Sequence, residues 1–217
     1  GVAVLIIVMS VMNGFRTDLT NKILGFNPHL IVKPYNNVKI NDDFKKQLNN
    51  NIKEIEYLES FSGEGVVIKS ETTKGVIIKG LDQKSQKNLV FLKKILIEGN
   101  KEKIESNEVV IGKQLAIDLN LQAGDKINLL SSSFISTPFG GLPKQETYIL
   151  KGIFSSGFYE FDKNVIFLNL NQTLNFFDKT NEDINLEIYL QNPLDAEKIK
   201  NQILKFENNL FIYSWID

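Results

Sequence analysis

The rhythm of apolar and polar positions changes along the chain, and each change predicts a different kind of element. Gly1 to Met12 (GVAVLIIVMSVM) carries no charge and a single hydroxyl. At ~1.5 Å of helical rise per residue this run spans roughly 20 Å, short of the ~30 Å hydrocarbon core of a bilayer. The chain opens without Met, with no charged segment before the run and no small-residue cleavage site after it, so it does not read as a secretory signal. It is expected to be the outer part of a transmembrane helix that begins upstream, with a buried core element as the alternative. Beyond Asn13-Gly14, Phe15, Leu19 and Ile23 recur at helical spacing with Arg16, Asp18, Thr20 and Lys22 between them. Residues 1–27 are therefore expected to be the end of a transmembrane helix followed by an amphipathic stalk that ends near Gly25 and Pro28.

A second pattern occurs twice, once just after the stalk and once near the C-terminus. His29 to Tyr35 reads as a strand. Asn41 is a helix cap with Asp42 and Asp43 in the first turn, and Phe44, Leu48, Ile52 and Ile55 form an apolar stripe. A strand is expected at Gly65 to Ser70. Near the far end Leu186, Ile188 and Leu190 alternate with Glu187, Tyr189 and Gln191, a half-buried strand. Asn192-Pro193 then starts a helix with Ala196, Ile199, Ile203 and Phe206 on its inner face, and Leu210 to Trp215 closes the chain as a strand. These two βαβ-like units predict an α/β (α+β) fold. Its split βαβ-type subdomain is built from residues 28–71 and 178–217, with a mostly β subdomain, residues 72–177, inserted between them.

Within the insert, short apolar strands are predicted at Gly75 to Gly80, Val109 to Gly112, Lys126 to Leu130, Thr147 to Phe154 and Asn164 to Leu168, with helices at Lys113 to Leu119 and Asn171 to Phe177. Residues 131–146 (SSSFISTPFGGLPKQE) fit neither period. They hold two of the five prolines, a Gly-Gly pair and the apolar Phe134, Phe139 and Leu142, and they read as a long protruding loop.

Composition removes most chemistries. The 25 basic and 26 acidic side chains leave a net charge of -1, which argues against nucleic acid as a partner. Zero cysteines exclude disulfides and thiolate sites, and a lone histidine, His29, leaves no triad or multi-His metal site. Gly112-Lys113 is followed by Gln114, so there is no phosphate loop. Gly63-Glu64-Gly65 reads as a turn, Ser131 to Ser133 as loop, Glu54, Glu56 and Glu59 as a solvated helix end, and His29 as a structural strand-entry residue. Trp215 reads as core or as the join to a further segment of chain.

Several stretches are similar to a known family. Ser10-Val11-Met12-Asn13-Gly14-Phe15, with Lys22-Ile23-Leu24-Gly25 and Pro28-His29, resembles the first transmembrane helix and stalk of lipoprotein-releasing ABC permeases of the LolC/LolE type. Val110 to Ala116, Leu121 and Gly124-Asp125 resemble a signature of macrolide-exporter-like periplasmic domains, and Thr137-Pro138-Phe139-Gly140 with Leu142-Pro143 resembles the loop that hooks the periplasmic chaperone in the LolC branch. Gly152-Ile153-Phe154, Tyr159-Glu160 and Asp162 resemble the strand after it. Ser214 to Asp217 is closer to the LolE branch, and Gly141 stands where relatives often carry a basic residue.

The resemblance implies a permease in the bacterial inner membrane, with this region mainly periplasmic, that extracts lipoproteins and hands them to a periplasmic chaperone. It implies no enzyme activity and no cofactor in this chain, ATP being bound by a separate cytoplasmic ATPase. The other partners it implies are a second permease subunit, the same or paralogous, and lipoprotein cargo. It makes Thr137, Pro138, Phe139, Gly140, Leu142 and Pro143 the hook contacts and places Met12 at the lipid-entry cavity. The alternatives are a mechanical-transmitter periplasmic domain of another exporter or of a cell-division permease, and a membrane-anchored periplasmic hydrolase.

Overall fold

The computed structural model describes residues 1–25, 27–35, 38–53, 55–82, 96–99, 103–138 and 140–217. In chain order its first elements are helix α1 (Val2–Leu24), β1 (Leu30–Lys33), α2 (Asp42–Asn51), β2 (Ile55–Lys69), β3 (Thr72–Leu81), β4 (Leu96–Gly99), β5 (Glu108–Gly112) and α3 (Lys113–Asp118). There follow β6 (Lys126–Thr137), β7 (Gly140–Phe154), α4 (Tyr159–Asn164), β8 (Val165–Asn169), α5 (Leu170–Phe176), β9 (Asn185–Leu190), α6 (Ala196–Ile203) and β10 (Phe211–Ser214).

The two chain ends build one unit. Strands β10, β1, β9 and β2 lie side by side, every neighbouring pair antiparallel, so each βαβ segment contributes two strands with one of the other segment's between them. This interleaving is the split-βαβ, ferredoxin-like arrangement. Asn41 caps α2 by accepting the Phe44 N–H at 2.8 Å, and the helix turns Phe44 and Leu48 inward. They meet Leu30, Val32, Leu186, Ile188, Ile203 and Ile212 in one buried cluster. Trp215 packs at its margin and donates its indole N–H to the Pro193 carbonyl at 2.8 Å.

The insert closes on itself. β2 pairs with β3, β3 with β8, β8 with β5, β5 with β7, β7 with β6, and β6 back to β2. Six strands thus form a small barrel, too narrow for a cavity and filled by its own side chains. Val67, Ile78, Val109, Ile111, Leu129, Tyr148, Leu150 and Ile166 fill it, joined by Leu115 of α3 and by Phe176 and Phe177 at the end of α5. A third cluster, with Leu58, Leu81, Val110, Phe154, Phe161 and Phe167, lies between the barrel and the terminal unit.

Several expectations change. β2 runs unbroken from Ile55 to Lys69, pairing with β9 over Ile55 to Ser60 and with β6 over Gly65 to Ile68. One strand therefore serves both units. Glu56 and Glu59 sit on this strand instead of on a helix end, and Glu54 lies outside the described residues. Gly63 and Gly65 are strand residues and not a turn: a Cβ at Gly63 would stand 2.6 Å from the Phe177 ring, and one at Gly65 2.5 Å from Ile78 Cδ1. They are glycines because other side chains already occupy that space. β9 is buried on both faces near its centre, with Glu187 4% exposed, because the barrel side covers the face that alternation marks as solvent-facing.

The first part of helix α1 is exposed. Val4, Leu5, Ile6, Ile7 and Val8 are consecutive and all lie between 49% and 64% exposed. Among the described residues, no helix is long and apolar enough to cross a membrane.

Candidate functional site

Residues 131–138 and 140–146 form a two-stranded arm, not a loop. β6 leaves the barrel after Ser131, the last residue paired with β2, and then pairs only with β7: Phe134 opposite Pro143, and onward to Thr137 opposite Gly140. Four paired positions at ~3.3 Å each carry the arm roughly 13 Å from its root. Between Leu130 and Phe134 the register shifts, since β6 spends three residues where β7 spends one. Such a bulge bends a ribbon and re-aims it. The Ser133 N–H donates to Ser131 Oγ at 2.9 Å inside the bulge.

The root is tied to α5 from both strands. Ser133 Oγ donates to the Phe177 carbonyl at 2.6 Å, and Lys144 Nζ donates to the Asn175 carbonyl at 2.7 Å. Both carbonyls belong to the C-terminal end of the helix, where the dipole favours a cation. Beside them Glu146 pairs with Lys144 at 3.2 Å and accepts from Gln172 Nε2 and the Tyr148 hydroxyl, at 2.5 and 2.7 Å. Burial, reinforced by the Glu146 carboxylate, pushes the Tyr148 hydroxyl far above its ordinary range, so it stays a donor. Among the described residues, every buried side-chain polar atom has a hydrogen-bond partner.

Past the root the arm changes character. From Phe134 to Pro143 (FISTPFGGLP) it carries no charge. Phe134 is 67% exposed and Leu142 59%. Directly opposed residues share a face and successive ones alternate, so Phe134 and Pro143 lie on one side and Leu142 on the other. Gly141 sits under the Phe134 side chain, where an added Cβ would stand 3.4 Å from Phe134 Cβ. Gly140 takes a φ of +117°, which glycine adopts without strain, and sits beside the turn at Pro138.

The arm therefore carries Pro138, Gly140, Leu142 and Pro143, with Leu142 and Pro143 on opposite faces and the backbone of Thr137 paired to Gly140. Phe139 lies outside the described residues. Met12 is on α1, 66% exposed, and belongs to a different surface. Phe134 is not among the hook residues that the resemblance implies, yet it is exposed on the same arm. The signal was present: an aromatic three residues before a Thr-Pro turn falls opposite Pro143 once the segment is read as a hairpin.

Residues 1–206 match the family model described as the MacB-like periplasmic core domain. The chain is 31% identical over 219 residues to the lipoprotein-releasing system transmembrane protein LolC of Buchnera aphidicola subsp. Acyrthosiphon pisum, covering 98% of this chain and 53% of that protein. It is 26% identical over 226 residues to the lipoprotein-releasing system transmembrane protein LolE of Haemophilus influenzae, covering 100% of this chain and 54% of the relative. The chain thus spans about half the length of the curated relatives it matches. In fold it is similar to the extracellular domain of the noncanonic ABC-type transporter YknZ from Gram-positive bacteria. The TM-score is 0.51 at 12% identity, over 83% of this chain and 93% of that one.

Proposed function

Because the chain belongs to the MacB-like periplasmic core domain family and is of the LolC/LolE permease type, we propose that it works in lipoprotein release. In this reading its arm docks the soluble chaperone that receives the lipoprotein. The permease draws the acylated protein from the inner membrane, a separate cytoplasmic ATPase drives the cycle, and a second permease subunit, the same or paralogous, completes the complex. Met12 lines the lipid-entry side.

The physical need is plain. An acyl chain exposed to water costs ~0.8 kcal/mol per CH₂, so it must pass from one sheltered site to another without an aqueous interval. A receiving chaperone therefore has to be held in place before the cargo moves. The observation that supports the arm as its holder is the contrast within sixteen residues. The root is fixed by Ser133 and Lys144 to the end of α5, while Phe134 and Leu142 stand free on a charge-free ribbon. A contact already held in shape loses less entropy on binding.

The test is reconstitution of the full-length permease with its ATPase in vesicles holding an acylated lipoprotein. ATP-dependent appearance of lipoprotein on the same organism's chaperone is the expected result, and its loss on removing the arm's tip is the second. ATP hydrolysis without any release to the chaperone contradicts the proposal.

A further inference from the structure

Two charged side chains are buried where the terminal unit meets the barrel, and docking by the arm uses neither. Lys79 on β3 is 8% exposed and Glu187 on β9 4%. Lys79 Nζ lies 2.7 Å from Glu187 Oε2. The Ser60 hydroxyl donates to Glu187 Oε1 at 2.6 Å and the Tyr189 hydroxyl to Oε2 at 3.1 Å. The register explains the meeting. Ser60 is the residue of β2 at which pairing with β9 ends, opposite Asn185, and pairing with β3 begins, opposite Leu81. One carboxylate from the terminal unit therefore holds a hydroxyl on the shared strand and an ammonium on the barrel.

A buried ion pair is a poor device for stability alone, since apolar groups of the same volume commonly do as well or better. Apolar neighbours are at hand: Leu58, Leu81 and Phe167 belong to the cluster at this joint. What the pair adds is direction. Apolar surfaces attract without a preferred angle and can slide. A hydrogen-bonded carboxylate and ammonium cannot separate without leaving a charge unpaired in a water-poor site.

The pair also stands at the end of a continuous path from α1. His29 Nε2 donates to the carbonyl of Leu24, the last residue of that helix, at 3.2 Å, and its Nδ1 accepts the Leu190 N–H at 2.8 Å. Its ring meets the Tyr189 ring edge-on, with centroids 5.9 Å apart. Tyr189 in turn holds Glu187. We infer that Lys79, Glu187 and Ser60 are positioning residues that fix the angle between the terminal unit and the barrel. A displacement of α1 is then delivered to the arm instead of being absorbed at the joint. The inference rests on the permease reading above.

The test uses the full-length permease assembled with its ATPase and second permease, with spin labels at Lys113→Cys on α3 and Lys198→Cys on α6, both exposed. In the fully apolar variant Lys79→Met, Glu187→Leu, Ser60→Ala and Tyr189→Phe, which leaves no hydroxyl of this group unpaired, the thermal midpoint is expected to stay near that of the parent and chaperone affinity to hold within twofold. The distance distribution between labels is expected to broaden, and ATP-dependent lipoprotein release to fall at least tenfold. A parental distribution with undiminished release overturns the inference. Failure of the parent complex itself to release lipoprotein overturns instead the reading beneath it. Ser60→Ala, which leaves the ion pair in place, repeats the measurement in a milder variant: a broadened distribution supports the role, and an unchanged one counts against it.

Discussion

Helix α1 and the arm both hold large apolar side chains in the open, at similar exposure, yet they are built on opposite plans. On α1 five consecutive residues, Val4 to Val8, are exposed, so apolar groups point in every direction around the axis. This stretch has no polar side to turn to water, unlike the later part of the same helix with Arg16, Asp18 and Lys22. On the arm Phe134 and Leu142 stand on opposite faces, spaced by glycine, serine and threonine, on a backbone paired strand to strand. Such a ribbon tolerates water and offers separate points of contact. In the proposed reading, equal exposure then serves lipid contact in one case and partner contact in the other.

The comparison can be broken most sharply at Ile7. A lysine there is expected to cost about 2.5–3.5 kcal/mol of membrane insertion, measured as the inserted fraction of this helix in an insertion reporter. Leu142→Lys is expected to leave membrane association of the full permease unchanged. Equal insertion of the Ile7→Lys helix and its parent removes α1 from the bilayer. Next in size is the root: Ser133→Ala with Lys144→Met removes both bonds to the end of α5, and about 2 kcal/mol should be lost in urea unfolding. Chaperone affinity should fall with it, since the arm is no longer held in shape. Phe134→Ala is the milder converse. Its unfolding free energy should stay within ~0.5 kcal/mol of the parent while chaperone binding weakens about tenfold, ~1.4 kcal/mol.

The smallest effect concerns the joint between α1 and the sheet. Burial holds the His29 imidazole below its ordinary pKa, against the opposing pull of the Leu24 carbonyl, so the folded state keeps it neutral. The unfolded chain then binds more protons than the folded one below about pH 6.5. The contribution of His29 is fully present above that pH and declines as pH falls toward the lowered folded value. Denaturation at pH 7.5 and 5.5 should show a larger loss in the parent than in His29→Gln. Parallel losses in the two proteins contradict the assignment.

Local patterns carried the terminal unit well, because its helices and strands declare themselves in short range. Asn41 with Asp42 and Asp43, the spacing of Phe44 and Leu48, and Asn192-Pro193 all mark elements that the fold contains. The barrel was legible only as a series of strands. Its closure depends on β6 returning to β2 and β5 meeting β8, pairings between residues far apart in sequence. The arm escaped because a ribbon wet on both faces has no reason to alternate. Lys79 and Glu187 each look like a solvent-facing charge on an alternating strand, and only the pairing of strands from distant parts of the chain turns them toward each other. Gly63 and Gly65 misled in the same way, since close packing and a tight turn ask for the same residue.

The most direct measurement of the central claim is calorimetric titration of the full-length permease with the same organism's lipoprotein chaperone, beside a Phe139→Ala, Leu142→Ala variant. Micromolar or tighter binding by the parent, lost in the variant without change in its unfolding, is the result expected of a docking arm. Binding that survives both substitutions, or none by the folded parent, contradicts it.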